Sequence, residues 1–138
     1  MGSEWIMFLL PQVFTRIKRD FSEKIKTTYS MTSANFSTVG NNDTPAVFPF
    51  VYVQLLPAIE QGNSLCGTSI NGGLFTFQID VTDNEKQGNT RKVMTEIVRI
   101  MKTMGFEIIA MPSFETTRDN THRMTARFRR IICKDDKL

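Results

Sequence analysis

The segment from Asn89 to Gly105 places the strongest constraint on the fold, because its apolar residues all fall on one side of a helix. Seven apolar side chains share an arc of about 160° when successive residues are placed about 100° apart. They are Val93, Met94, Ile97, Val98, Ile100, Met101 and Met104. Either Asn89 or Thr90 can cap the first turn, and Gly105 can adopt the left-handed conformation that ends a helix. The segment therefore predicts a helix that covers a β-sheet.

A second amphipathic pattern lies near the start of the chain. Apolar residues recur there at intervals of three and four, which predicts a helix from about Pro11 to Lys26. We expect this helix to pack on the same sheet rather than to anchor the chain on a membrane. Residues 1–10, which include Trp5 and Phe8, are interpreted as an N-terminal arm. Such an arm either docks on a neighbouring subunit or closes the end of its own core.

Two strands are predicted before the helix that begins near Asn89. The run from Phe50 to Leu56 is apolar except for Gln54, which predicts a central strand buried on both faces. The run from Leu74 to Val81 alternates between apolar and polar residues, which predicts a half-buried strand that pairs with the first. Its phenylalanine face is the expected floor for the helix. A short strand is also expected from about Met31 to Thr38.

Two more strands are predicted after the helix, from Phe106 to Met111 and from Thr121 to Ile132. A turn over residues 117–120 connects them, and the glycine-rich segment from Gln61 to Gly73 is expected to be a long hairpin loop. Together the elements predict one domain over residues 1–138. The fold class is α+β, with a mostly antiparallel sheet of four to five strands and two amphipathic helices packed on one face.

The composition is that of an ordinary soluble globular domain. The chain has 138 residues, of which 41% are hydrophobic and 22% are charged, so a single core can form without disulfides or metal. Cys66 and Cys133 are too far apart in sequence to indicate a disulfide framework, and reduced thiols in the cytoplasm are expected. The formal net charge of +3 suits an acidic protein partner as well as nucleic acid.

The polar residues do not match a known catalytic pattern. His122 is the only histidine in the sequence, and its position at the start of a strand is typical of a polar end residue. Asp80, Asp83 and Glu85 lack the spacing of a calcium loop, and we interpret them as part of a solvated turn. The sequence predicts no enzyme, no metal site and no cofactor. A small enzyme that uses His122 is the most distant alternative.

The last predicted strand is expected to have one core face and one basic face. The basic residues in and around it are Arg118, Arg123, Arg127, Arg129, Arg130 and Lys134. They could form a phosphate-binding stripe with Phe75 and Phe77 as base-stacking residues, but the predicted helix needs both phenylalanines as its floor. We favour a subunit interface for the arginines. A small basic nucleic-acid-binding domain is the alternative.

Six features follow one another along the chain. They are the N-terminal amphipathic helix, the strand entry Phe48-Pro49-Phe50-Val51-Tyr52-Val53, the glycine-rich loop, the strand Phe75-Thr76-Phe77-Gln78-Ile79-Asp80-Val81, the helix end Met104-Gly105-Phe106 and the arginine-rich final strand. In this order and pattern the chain resembles the tail terminator proteins of long-tailed bacteriophages, also called tail completion or tail-to-head joining proteins. The similarity spans most of the chain and rests on element order.

The resemblance implies an α+β protein whose function lies in its surfaces and not in a catalytic centre. In that family the subunits form a six-fold ring that stops polymerisation of the tail tube and offers a docking surface to the neck of the capsid. The implied partners are further copies of the chain in a hexameric ring, the major tail tube protein, the head–tail connector or stopper protein, and genomic DNA that passes through the lumen without sequence-specific contact. The expected location is the tail–neck junction of the virion, after assembly in the host cytoplasm.

Closure of such a ring requires a heterologous contact between two different faces of the subunit. The glycine-rich loop and the irregular residues 30–46 are expected to contact the tube and the neck. The charged side of the helix near Asn89 is expected to line either the rim or the joint with the next subunit. The expected interface residues are Trp5, Phe8, Gln61, Asn63, Asn71, Arg118, Arg123, Arg127 and Arg129.

Overall fold

The chain folds into one β-sheet with helices packed on one of its faces. A computed structural model describes residues 7–38, 48–56, 59–60, 72–84, 86–116 and 121–133. The helices are α1 (Leu9–Asp20), α2 (Glu23–Tyr29) and α3 (Gln87–Thr103), and a short 3₁₀ turn spans Ser33–Asn35. The strands are β1 (Phe36–Ser37), β2 (Phe50–Leu55), β3 (Ile59–Glu60), β4 (Gly72–Asp83), β5 (Glu107–Thr116) and β6 (His122–Cys133).

The strand order of the sheet is β1-β2-β4-β6-β5, with β3 paired to the beginning of β4. Only the two-residue β1 runs parallel to its neighbour among the described strands, and all other pairs are antiparallel. The longest pairing joins β4 to β6 over twelve residue pairs, from Gly72 with Cys133 to Asp83 with His122. The predicted α+β class with a mostly antiparallel sheet is confirmed.

The core lies between this sheet and the apolar faces of α1 and α3. Alternate residues of three neighbouring strands point into it, and all of them are buried. These residues are Val51 and Val53 of β2, Phe75, Phe77, Ile79 and Val81 of β4, and Met124, Ala126 and Phe128 of β6. On α3 the predicted apolar arc is buried apart from Val98, which packs against the core at its margin. Each fully buried side chain of this kind contributes roughly 1.5–3 kcal/mol to stability.

The phenylalanines of β4 form the floor of α3, as predicted. Phe75 and Phe77 are 1% and 0% exposed, so neither can stack on a nucleic-acid base. Phe77 packs edge to face against Phe106, which follows α3, with 5.5 Å between the ring centroids. The connection from α3 to β5 is therefore held by an aromatic contact as well as by the conformation of Gly105.

The first helix is shorter than predicted and is followed by a separate one. The prediction of one helix from Pro11 to Lys26 is wrong, because Phe21 adopts an extended conformation with ψ of 138°. Phe21 is buried and packs edge to face on Phe36 of β1, 5.4 Å between centroids. The chain thus leaves the helix to place this ring in the core, and Ser22 then stands at the N-cap of α2.

The start of α3 also differs from the prediction. Asn89 and Thr90 lie inside the helix and do not cap it, because the N-cap residue is Lys86. The first turn is held by Asp83, whose Oδ2 accepts hydrogen bonds from the Lys86 main-chain N–H at 2.9 Å and from Asn89 Nδ2 at 3.1 Å. The interpretation of Asp83 as part of a solvated turn is therefore wrong, since it ends β4 and is 2% exposed.

Several strand predictions need correction at their ends or faces. The prediction that β2 is buried on both faces is wrong, because Phe50, Tyr52 and Gln54 are only partly buried. β1 is limited to two residues after the 3₁₀ turn, where the buried Asn35 donates from Nδ2 to the Pro49 carbonyl oxygen at 2.7 Å. β5 continues five residues beyond the predicted end at residue 111.

The long connection between β2 and β4 is only partly described. Ile59–Glu60 and residues 72–73 are paired strand residues, so the predicted loop is wrong for its last two positions. The remaining positions, 61–71, lie outside the described residues, as do the predicted turn at 117–120 and Glu85.

Candidate functional surfaces

One face of the sheet is turned away from the helices, and we call it the open sheet face. No described helix lies on it, and its side chains are half-buried or exposed except that of Thr82, which is 8% exposed between Phe50 and Arg123. The strand registers place the following residues on it: Phe50, Tyr52 and Gln54 of β2, Thr76, Gln78 and Asp80 of β4, Arg123, Thr125, Arg127, Arg129 and Ile131 of β6, and Glu107 of β5. It combines aromatic, aliphatic and long polar side chains, as the central parts of protein interfaces do.

Hydrogen bonds between strands hold the polar side chains of this face in place. Arg127 Nε donates to Gln78 Oε1 at 2.9 Å, and Arg129 Nε donates to Glu107 Oε1 at 2.7 Å. Thr125 Oγ1 donates to Asp80 Oδ1 at 2.5 Å. Arg127 and Arg129 therefore have partners directly across the sheet within the subunit.

The predicted basic face of the last strand is confirmed for three arginines and wrong for a fourth. Arg123, Arg127 and Arg129 are exposed in one row along β6. Arg130 points to the side of the helices, where its Nε would lie 3.3 Å from a Cβ built on Gly105. The period of two along the strand places residue 130 on the core side, with Phe128 and Ile132. The three arginines of the row share their face with Asp80 and Glu107, so its charge is mixed.

Exposed apolar residues lie at the margins of the sheet, and the sequence does not predict them. Ile131, on the open sheet face, is 46% exposed, and Ile109, at a bulge of β5, is 42% exposed. The aromatic rings of Phe50 and Tyr52 are partly buried on the open sheet face. The partial exposure of these two rings does not follow from the sequence of β2. A near-continuous apolar run is equally compatible with a fully buried strand and with a strand that has an aromatic outer face.

One edge of the sheet is formed by β5, which has β6 as its one neighbour among the described strands. Its pairing is interrupted by register shifts between Ile108 and Ala110 and between Ala110 and Ser113. Pro112 lies within the second interruption and has no N–H to donate. Bulges and proline are typical of edge strands that avoid further pairing, so the sheet is unsuited to continuous extension along this edge.

A second surface consists of the outward sides of the three helices, and we call it the helical face. Nine basic residues and three acidic ones lie on α1, α2 and α3. The basic ones, all exposed or half-buried, are Arg16, Lys18, Arg19, Lys24, Lys26, Arg91, Lys92, Arg99 and Lys102. The acidic ones are Asp20, Glu23 and Glu96. The helices thus have a formal charge of +6 in a chain whose total is +3, and the rest of the sequence sums to −3.

The three helices meet at the C-terminal end of α1. Lys26 Nζ of α2 donates to the Lys18 carbonyl oxygen at 2.9 Å, and Arg99 Nη2 of α3 donates to the Asp20 carbonyl oxygen at 2.9 Å. Arg16 Nε donates to the Asp20 carboxylate at 2.7 Å and, with a smaller effect of Arg19, lowers the pKa of that carboxyl below its ordinary value, although desolvation acts in the opposite direction. The hydrogen bond to Glu96 raises the pKa of the Arg99 guanidinium.

An open cleft of about 300 Å³ lies beside this junction, between α1, α2 and β1. Three of its lining residues are basic, namely Lys18, Arg19 and Lys26, and two supply hydroxyl groups, Thr15 and Thr32. Met31 and Phe36 form its apolar part. None of these lining residues is acidic, so the cleft suits an anionic group.

The remaining predicted site residues are divided between described and undescribed parts of the chain. Phe8 precedes α1 and is 62% exposed, next to Met7 at 80%. His122 is half-buried at the first position of β6. Trp5, Gln61, Asn63, Cys66, Asn71 and Arg118 lie outside the described residues.

Within the described part of the chain, no group of three or more His, Cys, Asp or Glu residues could hold a metal ion. None of the described helices has the length and apolar composition needed to cross a membrane. No protein-family model and no curated protein matches this chain.

Proposed function

We propose that this chain is a structural protein of a long-tailed bacteriophage that forms a ring, ends the tail tube and joins the tail to the head. In this proposal copies of the chain form a hexamer at the tail–neck junction of the virion. The major tail tube protein lies on one side of the ring and the head–tail connector or stopper protein on the other. The proposal combines the resemblance in element order with the nature of the exposed surfaces, and it assigns the chain no catalytic centre.

The open sheet face is the observation that supports a role in assembly most directly. It places three arginines, two aromatic residues and an exposed isoleucine on one surface that no described helix covers. Arginine and aromatic residues are enriched in protein interfaces. A flat, ordered surface of this kind is suited to contact with a protein rather than to enclosing a small substrate, which normally needs a concave pocket.

Two different faces of the subunit are required for a ring, because a closed cyclic assembly of more than two copies uses heterologous contacts. The open sheet face supplies one of them in this proposal, with Arg123, Arg127 and Arg129 as its basic row. The exposed Phe8 at the start of α1 is the proposed anchor on the next subunit. The interrupted edge of β5 supports a ring held by side chains rather than by a continuous sheet.

The size of the purified protein in solution tests the proposal. We expect native mass spectrometry to detect a hexamer, either alone or after addition of the major tail tube protein of the same virus. Arg127→Glu combined with Arg129→Glu reverses two charges on the open sheet face and should abolish the hexamer. Lys92→Glu combined with Lys102→Glu reverses the same number of charges on the helical face and should leave it intact.

Circular dichroism of both double variants verifies that each is folded, because all four side chains are exposed. A wild-type protein that is monomeric both alone and with the tube protein would contradict the proposed ring. Equal loss of the hexamer in the two double variants would contradict the placement of the interface on the open sheet face.

A further inference from the structure

We propose that the helical face binds the phosphate backbone of double-stranded DNA without regard to sequence. This assigns a nucleic-acid surface to α1, α2 and α3 instead of to the arginine row of β6. The inference goes beyond the ring, because a single subunit already presents the whole helical face. It rests on the formal charge of +6 on the helices, on four exposed cations that form no ion pair within the described residues, and on the cleft beside α1.

The positive charge of the helices supports this proposal first. The three helices have nine basic and three acidic residues, which gives them a formal charge of +6. A surface with such an excess of basic residues is the electrostatic footprint of a polyanion-binding protein.

Four exposed cations among the nine form no ion pair within the described part of the subunit. Among the described residues, Lys24, Arg91, Lys92 and Lys102 form no ion pair, and all four are exposed. Ion pairs join Asp20 to Arg16 and Arg19, and Glu96 to Arg99. The acidic side chains of the helices therefore neutralise only a minority of the basic ones.

The positions of the cations on α3 disfavour a purely structural role. The first turn of this helix has no acidic residue, and Arg91 and Lys92 follow in its second turn. The N-terminal end of a helix is the positive end of its dipole, where acidic residues stabilise and basic residues do not. Arg91 and Lys92 therefore do not stabilise the helix through its dipole. They add positive charge to the helical face.

The cleft beside α1 provides a site for an individual phosphate group. Lys18, Arg19 and Lys26 line it together with the hydroxyl groups of Thr15 and Thr32, and its volume of about 300 Å³ exceeds that of one phosphate. Lys26 and Arg99 already compensate the carbonyl groups at the end of α1, so the helix end does not repel an approaching anion.

A duplex is favoured over a single strand because the aromatic residues within the helices are not fully exposed for base stacking. Phe14 and Tyr29, the aromatic residues within α1 and α2, are only partly exposed, and the ammonium group of Lys18 lies 4.6 Å from the centroid of the Phe14 ring. Single-strand binding proteins normally combine basic grooves with stacking platforms. Lysine-rich surfaces without such platforms contact the backbone and carry no sequence information.

Binding to a fluorescently labelled DNA duplex of random sequence tests the proposal. The binding constant K is measured by fluorescence anisotropy at several salt concentrations, with no other protein present. The triple variant Lys24→Gln, Lys92→Gln and Lys102→Gln removes three exposed cations from the helical face. Each lost phosphate contact lowers the slope of log K against log salt by about 0.9, so we expect the slope to become shallower by about 3.

The matched control is Lys24→Arg with Lys92→Arg and Lys102→Arg, which keeps the charge at the same three exposed positions and leaves the open sheet face unchanged. We expect its salt slope to equal that of the wild type. The proposal is overturned if the wild type does not bind the duplex, if the glutamine variant keeps the wild-type slope, or if a polyglutamate chain binds as tightly as the duplex, which would indicate an acidic protein partner. A missing hexamer does not affect this measurement, so the two proposals can fail separately.

Discussion

Arg99 Nη2 donates a hydrogen bond of 2.9 Å to the main-chain carbonyl oxygen of Asp20, which joins the middle of α3 to the last residue of α1. The same guanidinium binds the carboxylate of Glu96, with Nε at 2.9 Å from Oε1. Carbonyl groups at the end of a helix have no partner within the helix and attract cations. Arg99 therefore connects two helices through residues that are 79 positions apart in sequence.

We expect Arg99→Gln to lower the urea midpoint of unfolding more than Lys102→Gln does. Loss of the guanidinium leaves Glu96, which is 9% exposed, without its cation and removes the link to α1. Lys102 is exposed and has no ion pair within the described residues. In a double-mutant cycle, Glu96→Gln should recover part of the loss. Equal midpoints for the two single variants would contradict this role of Arg99.

The free energy of unfolding at acidic pH should depend on Asp20. Arg16 and Arg19 hold the pKa of this carboxyl below its ordinary value of 3.8, so the stabilisation is present above pH 3.8 and is lost as the pH falls through the lower, folded-state pKa. Asp20→Asn should cost about 0.5 kcal/mol at neutral pH, since the pair is partly solvent-screened. The difference from the wild type should shrink towards pH 3.

Urea unfolding at several pH values measures this difference. Glu23→Gln is the control, because Glu23 is exposed and forms no ion pair among the described residues. A difference between Asp20→Asn and the wild type that grows on acidification would contradict the assignment.

Much of the fold follows from periodicity in the sequence. The buried arc of α3 and the alternation of β4 and β6 each repeat over enough residues to determine which face is inside. The break between α1 and α2 could not be predicted in this way. Ile25 continues the helical spacing of Ile17 and Phe21, and the extended conformation of Phe21 arises from its contact with Phe36, fifteen residues further along the chain.

The candidate surfaces could also be predicted only in part, because they too depend on contacts between residues that are distant in sequence. The arginine row of β6 follows from strand alternation, but its neighbours Gln78 and Glu107 depend on register, which local sequence does not specify. The charge of the helical face is dispersed over α1, α2 and α3 in sequence. It becomes one surface only because Lys26 and Arg99 meet the end of α1.

Asp83 should be one of the most important polar residues for stability. Its carboxylate accepts the Lys86 main-chain N–H and the Asn89 side chain while itself buried. We expect Asp83→Ala to lower the free energy of unfolding by about 2 kcal/mol and Asp83→Asn by less, because an amide oxygen can still accept one bond. Asn84→Ala, at an exposed position of the same turn, should remain within about 0.5 kcal/mol of the wild type. Chemical denaturation of the three variants would show a different ranking if Asp83 did not hold this turn.

The two glycines of the α3 region should respond to alanine with opposite signs. Gly105 has φ of +83°, and a Cβ there would lie 3.3 Å from Arg130 Nε. We expect Gly105→Ala to cost about 1–2 kcal/mol, because an L-residue is strained in the left-handed conformation that ends the helix.

Gly88 lies in the first turn of α3, and a Cβ there meets nothing within 4 Å. Gly88→Ala should therefore stabilise the protein by about 0.5 kcal/mol by reducing the entropy of the unfolded chain. Thermal unfolding of both variants decides the matter, and a gain in stability for Gly105→Ala would show that the chain does not need a left-handed residue where α3 turns into β5.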